Sequence, residues 1–493
     1  MMAGARAASK SASSRFDWQD QPVTILGLSR SGSAVARFMV AQGARCFLSE
    51  TAPASDANEP LRRELTALGV ELEMGGHTAK CFSHAPTVVL SPGIPPTASI
   101  IKQLQLSGLT LLSEVELAYR ASLDASGKTR MPWVGVTGTN GKTTVVSLLA
   151  HILKSAGKRA VACGNIGTPV IEVLADEPDV IVAEFSSFQL TYAPTLQAEV
   201  AVMTNFRPDH LDWHGSIRAY KQAKFELFSP AHPPGHIVFN AADAVCRDWQ
   251  DQVSSPIVWT SATADTFSDF SVTDYLTVDD TAQVLAVRQG GPPKPLLSMA
   301  ASTLIGRHNQ DNMLNAIAAA TLLGVEAADI EAALGTFGGV EHRLERLGII
   351  EGVVHYNDSK ATNPDATVCA LLAFEPKSLI LLAGGRDKGT DLSEFVAAVK
   401  TYAAGVVLMG DAAPRFATAL QEAGYDQVTT VATLAEAVPA AHKKAQALNV
   451  PQPAVLFSPA CASFDQFQDF AHRGRVYKDT VGHLTKSANP SPV

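Results

Sequence analysis

Residues 134–144 read V-G-V-T-G-T-N-G-K-T-T, after an apolar and β-prone start at Trp133. A helical pattern, V-V-S-L-L-A-H-I-L, comes directly behind them. A strand, a glycine-rich turn and a helix in this order form a phosphate-binding loop, because backbone N–H groups and the helix N-terminus attract an anion. In such a loop Lys142 reaches the terminal phosphates and the Thr143 hydroxyl contacts Mg²⁺. The stretch therefore predicts an ATP or GTP site.

The loop departs from the usual phosphate-loop pattern at one position. That pattern has a glycine five residues before Gly141, where this chain has Val136, and the glycine that precedes Gly141 is Gly138. A Gly-Lys-Thr run also occurs by chance in an ordinary strand-turn-helix corner. Asn140, Gly138 and the flanking strand and helix patterns favour phosphate binding over that alternative.

Length and composition limit the class of protein. A chain of 493 residues, at about 150 residues per domain, predicts about three domains. The net charge of −9 gives no basic footprint, so we expect no nucleic-acid partner. No apolar run reaches the ~18–20 residues that span a bilayer, so we expect no membrane segment. Six cysteines without a C-x-x-C pair predict neither a zinc site nor a disulfide framework, as in a reducing cytoplasm.

The order of strand and helix patterns divides the chain into α/β regions. The small, polar and basic residues 1–20 predict a disordered tail rather than a secretory signal, although their composition resembles a transit peptide faintly. Residues 21–110 predict a Rossmann-like domain, residues 111–338 a central P-loop ATPase-like domain, and residues 339–493 a C-terminal Rossmann-like domain. The β-rich stretch 230–295 is assigned no function. We therefore predict three consecutive α/β domains.

The first region contains an imperfect dinucleotide-binding pattern. The strand P-V-T-I-L is followed by Gly27-Leu28-Ser29-Arg30-Ser31-Gly32, a helix, and a second strand that ends at Glu50. An acidic residue about 20 positions after the glycines is typical of a nucleotide-binding β-α-β unit. Because Ser29 replaces the second glycine, a glycine turn without a ligand remains the alternative.

Three residues of the central region have chemistry that suits a nucleotide site. Glu184 ends a strand beside the phosphate loop, where a Mg²⁺ ligand belongs, although it could instead cap the following helix. His210 could bind a second cation or lie on the surface. Lys224 lies in a helical pattern, and its spacing alone predicts a charge on a solvated helix face.

Three polar loops follow strands of the third region. They contain residues 358–363, 384–389 and 458–465. Each loop alone could be a turn, but three at strand C-termini of one domain predict a binding rim. Arg386 and Lys388 in the second loop suit a carboxylate or a phosphate.

Seven motifs together resemble the Mur ligases of peptidoglycan synthesis. They are G-T-N-G-K-T-T, G-N-I-G, E-F-S-S-F-Q-L, H-N-x-x-N (308–312), H-R-L-E (342–345), N-D-S-K-A-T-N and S-P-A-C-A-S-F-D-Q-F. The resemblance covers about residues 22–480, and the last two motifs are typical of the branch that adds D-glutamate. It implies a cytoplasmic, monomeric amide ligase in which ATP phosphorylates the carboxylate of UDP-MurNAc-L-Ala and the amine of D-glutamate displaces the phosphate.

The resemblance also implies a role for individual residues. Catalysis would rest on Lys142, His210 and Lys224, the last as a carbamylated lysine. Two Mg²⁺ ions would be held by Thr143, Glu184, His210 and the Lys224 carbamate. The ATP site would comprise Gly138, Thr139, Asn140, Gly141, Lys142, Thr143, Thr144, Asn312, Arg343 and Asp358. The UDP-substrate site would comprise Ser31, Thr51, Ser91, Gly93, Asn165 and Gln189. The D-glutamate pocket would comprise Thr362, Lys388, Ser463, Phe464 and Phe470.

Two other functions remain open at this point. A sister ligase that adds another residue, or a folylpolyglutamate synthetase-like enzyme, would share the phosphate loop. The D-N-P-R-type motif expected of a diaminopimelate-adding enzyme does not occur in the sequence. A non-catalytic nucleotide-binding regulator would be expected to have lost at least one of four residues that this chain retains, namely Lys142, Glu184, His210 and Lys224.

Overall fold

The structure is a computed structural model that describes residues 18–268, 270, 272–387 and 389–487. Residues 1–17 of the predicted tail lie outside the described residues. Asp20, at the end of that tail, donates its backbone N–H to Gly43 O at 2.9 Å and so joins the folded chain. Among the described residues, no helix is long and apolar enough to cross a lipid bilayer.

The first sheet is parallel and doubly wound. Its strand order of β3-β2-β1-β4-β5 places the chain reversal between β1 and β4, where open α/β sheets form their ligand crevice. The strands are β1 (Pro22–Leu26), β2 (Arg45–Glu50), β3 (Glu71–Met74), β4 (Thr87–Leu90) and β5 (Thr110–Ser113). The helices are α1 (Arg30–Ala41), α2 (Glu59–Ala67), α3 (Lys80–Ser83), α4 (Ser99–Leu106) and α5 (Glu114–Ser122).

The second sheet has nine strands in the order β14-β13-β12-β11-β10-β9-β6-β8-β7. It is parallel from β7 to β12 and antiparallel from β12 to β14. The strands are β6 (Trp133–Thr137), β7 (Ala160–Gly164), β8 (Val180–Glu184), β9 (Val200–Met203), β10 (His236–Asn240), β11 (Ile257–Ser261), β12 (Tyr275–Val278), β13 (Gln283–Val287) and β14 (Lys294–Ser298). The β-rich stretch 230–295 therefore extends the central sheet instead of forming a separate module.

The helices of the central region follow its strands. The α-helices are α6 (Lys142–Ser155), α7 (Val170–Val173), α8 (Ser187–Leu190), α9 (Leu211–His214), α10 (Ile217–Phe225), α11 (Ala244–Asp248), α12 (Arg307–Leu322) and α13 (Ala327–Thr336). Short 3₁₀ turns occur at Leu174–Asp176, Glu226–Phe228, Gln250–Gln252 and Ala264–Phe267. The phosphate-loop pattern thus folds as predicted, with β6, a loop and α6 in succession.

The third sheet has the order β15-β16-β20-β17-β18-β19, and only its β15–β16 pair is antiparallel among the described strands. Two apolar clusters pack on its opposite faces. The strands are β15 (Glu345–Ile350), β16 (Val353–Asn357), β17 (Leu379–Gly384), β18 (Ala403–Met409), β19 (Val428–Thr430) and β20 (Ala454–Phe457). The helices are α14 (Pro364–Leu371), α15 (Ser393–Tyr402), α16 (Ala413–Glu422), α17 (Leu434–Gln446) and α18 (Phe470–Ser487).

The chain forms two compact units. The first contains the residues up to 301 together with 311–335, and the second contains 302–310 and the residues from 336 onward. The first two sheets belong to the first unit and share one apolar core. The predicted α/β fold class is confirmed, because three mostly parallel sheets with intervening helices follow one another along the chain.

Candidate active site

The phosphate loop needs glycine at two positions for steric reasons. Gly138 has a φ of +141° and Gly141 a φ of +86°, a backbone region that L side chains rarely adopt. A Cβ atom at Gly138 would overlap the Thr204 hydroxyl, and one at Gly141 would overlap the Asn312 side-chain oxygen. The loop therefore packs tightly against the strand end at Thr204 and against the Asn312 side chain of α12.

Asn205 and Thr204 hold the loop from the neighbouring strand β9. The Asn140 N–H donates to Asn205 Oδ1 at 3.0 Å, and Asn205 Nδ2 donates to the Asn140 carbonyl at 3.0 Å. The Thr204 hydroxyl donates to the same carbonyl at 2.6 Å. Sequence reasoning did not assign these two residues to the site, although the T-N pair at a strand end was a usable signal.

Two lysines share one carbonyl of the loop. Lys142 Nζ donates to Gly138 O and Thr139 O, both at 2.9 Å, and Lys224 Nζ donates to Gly138 O at 2.8 Å. Residues Tyr220, Ala223 and Lys224 form the buried face of α10, spaced three and four residues apart. The interpretation of Lys224 as a solvated surface charge is therefore wrong.

Burial changes the protonation of Lys224. Its side chain is 2% exposed and lies 4.7 Å from the centre of the Tyr220 ring. Desolvation disfavours the ammonium, and the positive charge of Lys142 adds to the effect, so the pKa of Lys224 lies well below its usual value. The site therefore contains a buried amine that loses its proton more readily than a lysine in water, although the charges of Asp209 and Glu184 oppose the shift.

Glu184 lies between two loops. The Thr143 hydroxyl donates to Oε2 at 2.7 Å, and Asn165 Nδ2 donates to Oε1 at 2.8 Å. The following helix α8 is capped by Ser186, which forms a capping box with Gln189. The alternative role of Glu184 as that cap is therefore wrong. A hydroxyl and a carboxylate oxygen in contact are ligands that suit Mg²⁺.

His210 lies within an aromatic cluster near the two lysines. Its ring centre is 4.8 Å from Phe188 and 6.0 Å from Tyr220. Partial burial lowers the pKa of His210, and the charges of Lys224 and Lys142 lower it further, whereas Asp209 raises it. His214, which the sequence did not single out, contacts Ser187 Oγ at 2.9 Å, and burial lowers its pKa to about 4.

A cavity of about 600 Å³ opens at the ends of β1, β2 and β4. Of the residues predicted for the UDP-substrate, Thr51, Ser91 and Gly93 line it, whereas Ser31, Asn165 and Gln189 lie outside its lining. The remaining lining comprises Gly27, Ser29, Glu50, His77, Pro92, Ile94, Pro95, Ala98, Ser99, Ile100 and Gln103. The crevice predicted from the β-α-β pattern therefore exists, and His77 is an unpredicted part of it.

In the second unit, hydrogen bonds connect the three predicted loops. Asp358 Oδ2 accepts from Ser458 Oγ at 2.7 Å, and Arg386 N donates to Ala462 O at 2.9 Å. Asp358 is buried, so desolvation raises its pKa to about 7, although the Ser458 hydrogen bond and the charge of Arg343 oppose the shift. Asp358, Arg343 and the three loops thus belong to one rim.

Arg473 is a buried cation that sequence reasoning missed. Its guanidinium donates to Ser359 O at 2.8 Å, Cys461 O at 3.0 Å and Ala462 O at 3.2 Å. It therefore joins the loop after β16 to the loop after β20. Arg473 Nε also donates to Ser359 Oγ at 3.1 Å, and because most of its acceptors are backbone carbonyls, no motif spacing identifies its partners.

The predicted D-glutamate residues differ in exposure. Ser463 is buried, Thr362 is partly buried, and Phe464 is 64% exposed. Phe470 begins α18, and its ring centre lies 5.4 Å from Lys360 Nζ. Lys388 lies outside the described residues.

The chain is similar to known proteins along most of its length. Family models match residues 21–113 (Mur ligase MurD-like, N-terminal domain), 136–320 (Mur ligase middle domain) and 342–461 (Mur ligase, glutamate ligase domain). A UDP-N-acetylmuramoylalanine--D-glutamate ligase of Pelotomaculum thermopropionicum is 37% identical over 95% of this chain and 99% of its own length. A protein of the same name from Shouchella clausii is 37% identical over 94% of this chain and 97% of its own length.

A solved structure shows the same fold. UDP-N-acetylmuramate-alanine ligase MurC from Thermotoga maritima aligns with a TM-score of 0.54 and 19% identity, over 94% of this chain and 99% of that one. At this identity the similarity concerns the fold alone.

Proposed function

Because this chain belongs to the Mur ligase family, we propose that its site performs the ATP-dependent joining of D-glutamate to UDP-N-acetylmuramoyl-L-alanine in peptidoglycan precursor synthesis. The observation that carries the proposal is the convergence of Lys142, the buried Lys224 and the Thr143–Glu184 pair on the carboxyl ends of adjacent strands. Each of these residues has a distinct task in activating a carboxylate.

The reaction needs a leaving group, because a carboxylate is a poor electrophile. A carboxylate oxygen of the UDP-substrate attacks the γ-phosphorus of ATP, and the bond to ADP breaks. The D-glutamate amine then attacks the acyl carbon, loses a proton, and inorganic phosphate leaves. The chain contributes mainly by positioning and by neutralising charge. Lys142 and the N-terminus of α6 bind the phosphates that carry that charge.

The residues present fit a divalent cation. Thr143 Oγ1 and Glu184 Oε2 lie 2.7 Å apart beside the phosphate loop, and both are oxygen ligands. We assign the first Mg²⁺ to these two residues, and a second to His210 and a carbamylated Lys224. When bound, the cations neutralise charge on the phosphate oxygens.

The environment of Lys224 suits carbamylation. Only a neutral amine has the lone pair that attacks carbon dioxide, and burial holds Lys224 toward that form. The attack forms an N–C bond, releases one proton and leaves an anionic carbamate. This anion replaces a cation beside Lys142, so it removes the repulsion that the two ammonium groups would otherwise have.

The remaining assignments complete the substrate sites. Three lining residues of the first-unit cavity, Thr51, Ser91 and Gly93, would hold the UDP part, with Ser31, Asn165 and Gln189 serving the rest of that substrate. The loop 138–144 would bind ATP with Asn312, Arg343 and Asp358. The D-glutamate site would comprise Thr362, Lys388, Ser463, Phe464 and Phe470.

The proposal extends to the cellular setting and the oligomeric state. The six cysteines are unpaired, as in a reducing compartment, and we place the enzyme in the cytoplasm as a monomer without nucleic-acid or membrane partners.

Phosphate release tests the reaction. Purified protein receives ATP, Mg²⁺, UDP-MurNAc-L-Ala and a panel of amino acids that includes both enantiomers of glutamate. Release with D-glutamate alone is expected. No release with D-glutamate, or equal release with L-glutamate, contradicts the proposal.

Lys224→Ala tests the carbamate, with Lys221→Ala as the matched control on the same helix. Lys221 contacts Asp248 at 3.3 Å, away from the loop. We expect activity to collapse in Lys224→Ala and to recover partly with added short carboxylates, while Lys221→Ala stays near wild type. Full activity of Lys224→Ala would remove the carbamate from the mechanism.

A further inference from the structure

The acidic residue of the β-α-β unit is already engaged by its own chain. Glu50 Oε2 accepts from Leu28 N at 2.6 Å, and Oε1 accepts from Ala52 N at 2.9 Å and Thr51 Oγ1 at 3.0 Å. In dinucleotide-binding folds the residue at this position accepts the ribose hydroxyl. Here its carboxylate stabilises the loops at the cavity and keeps few free lone pairs for a nucleotide, so a further acceptor in the cavity would strengthen binding.

His77 lines the same cavity, and a buried serine holds its ring. His77 Nδ1 lies 2.7 Å from Ser49 Oγ, which also lies 2.6 Å from Glu73 Oε2 and 3.1 Å from Gly76 O. A serine hydroxyl has one proton, and the shortest contact is to the carboxylate. Without a proton between them, the Ser49 and Glu73 oxygens would repel each other. Ser49 therefore donates to Glu73 and accepts from His77.

This arrangement determines the tautomer of His77. Since Nδ1 must donate, it carries the hydrogen, and Nε2 of the neutral ring keeps a lone pair. Burial lowers the pKa of His77, although Glu50 and Glu73 raise it, so the ring favours the neutral form. Nε2 has no hydrogen-bond partner among the residues that the structure describes. It is therefore an unused acceptor on a side chain that lines the cavity.

We propose that His77 Nε2 accepts a hydrogen bond from the uridine part of the substrate, and that Ser49 and Glu73 act as positioning residues for it. The inference rests on the proposed function, which places a UDP-substrate in this cavity. Uridine has few donors, namely the uracil N3–H and the ribose hydroxyls, so one free acceptor discriminates strongly among ligands. Leaving a buried donor or acceptor unpaired is the main source of such discrimination.

Calorimetric titration with uridine 5′-diphosphate tests the contact. In His77→Asn the amide reaches the position of Nδ1 and keeps the bond to Ser49, but the acceptor at Nε2 is lost. In His77→Gln the longer side chain can return an oxygen to that position. We expect the Kd for UDP to rise about three- to tenfold in His77→Asn, and to return toward the wild-type value in His77→Gln.

Two analogues distinguish the donor. N3-methyl-UDP lacks the uracil donor, and 2′-deoxy-UDP lacks one ribose donor. If the uracil donates, the His77→Asn penalty disappears for N3-methyl-UDP and persists for 2′-deoxy-UDP, and the reverse holds for the ribose. Equal penalties for UDP and both analogues contradict donation from the uracil N3–H and from the 2′-hydroxyl.

The ¹⁵N spectrum of the histidine ring reads the tautomer directly. We expect the His77 signals, assigned by comparison with His77→Gln, to show Nδ1–H, and Ser49→Ala to produce a tautomer mixture. EDTA is included, because Glu73, His77 and Cys81 lie close enough to share a metal ion. A wild-type Nε2–H tautomer overturns the inference.

The outcomes distinguish a failure of the His77 contact from a failure of the proposed function. UDP binding with equal Kd in wild type and His77→Asn overturns the role of His77 and leaves the proposed function intact. A wild-type protein that binds no UDP and turns over no UDP-MurNAc-L-Ala overturns both.

Discussion

Gly141→Ala tests whether the phosphate loop depends on steric fit. Gly141 immediately precedes α6 and has a φ of +86°, and Gly157 follows the same helix with a φ of +80°. An alanine at either position meets the same unfavourable backbone region. Only at Gly141 would the new methyl group meet a neighbour within 4 Å, the buried Asn312 side chain. Gly157→Ala is therefore the matched control.

The expected magnitudes follow from these two environments. A non-glycine residue in the left-handed region costs about 1–2 kcal/mol, and both variants lose this amount. At position 141 the added Cβ lies 3.1 Å from Asn312 Cγ and overlaps its oxygen, whereas carbon atoms prefer separations of about 3.5–4.0 Å. Forcing this contact adds about 1–3 kcal/mol. The free energy of unfolding should thus fall about 1–3 kcal/mol further in Gly141→Ala than in Gly157→Ala.

Urea unfolding followed by tryptophan fluorescence measures this difference. The five tryptophans of the chain precede residue 260, so the signal reports on the first unit. The kcat/KM for ATP should fall at least tenfold in Gly141→Ala, because a loop displaced by about 1 Å misplaces the phosphates. Gly157→Ala should keep the wild-type value. Equal losses of stability in the two variants, or an unchanged kcat/KM in Gly141→Ala, would refute the reasoning.

Two further predictions concern a buried acid and an exposed ring. Glu114 is buried and accepts from Ile171 N at 2.7 Å, and desolvation raises its pKa to about 7 although the charge of Arg30 opposes the shift. A raised pKa stabilises the folded protein below a pH of about 4.5, and this stabilisation is lost as the pH rises through about 7. The free energy of unfolding of Glu114→Gln should therefore rise by up to about 3 kcal/mol relative to that of the wild type between pH 4 and 8. A difference that does not depend on pH would contradict this. Phe464 is 64% exposed, so Phe464→Ala should change the free energy of unfolding by less than about 0.5 kcal/mol. The same substitution should raise the KM for D-glutamate. A lowered calorimetric Tm would show a structural role instead.

The sequence predicted the fold more fully than it predicted the candidate site. Strands β1, β2, β6 and β8 form where the sequence predicted them, because apolar periodicity and glycine turns are local properties. The role of Lys224 shows the limit, because its neighbours Gly138 and Tyr220 determine its burial, and Gly138 is distant in sequence. Spacing alone placed this lysine on a solvated face. Only its motif context, through the resemblance to a family, indicated otherwise.

Long-range packing also decides between alternatives that the local pattern leaves open. Glu184 could have capped α8 or faced the phosphate loop, and the hydrogen bonds from Thr143 and Asn165 decide for the loop. The sequence pattern of residues 230–295 predicted β-rich structure, and the pairing of β10 with β9 shows that this stretch extends the central sheet. Such pairings join residues far apart in sequence, so no local window contains them.

The sequence by itself determined the succession of α/β sheets, the phosphate loop with its displaced glycine, and the family to which the motifs belong. These follow from residue order, since strand, turn and helix patterns are local properties of the chain. The tertiary structure alone decided the burial of ionisable groups, the contact between His77 and Ser49, and the contacts of Arg473 between two loops. The reason is physical: desolvation and hydrogen-bond direction depend on every group around an atom, and those groups come together only when the chain folds.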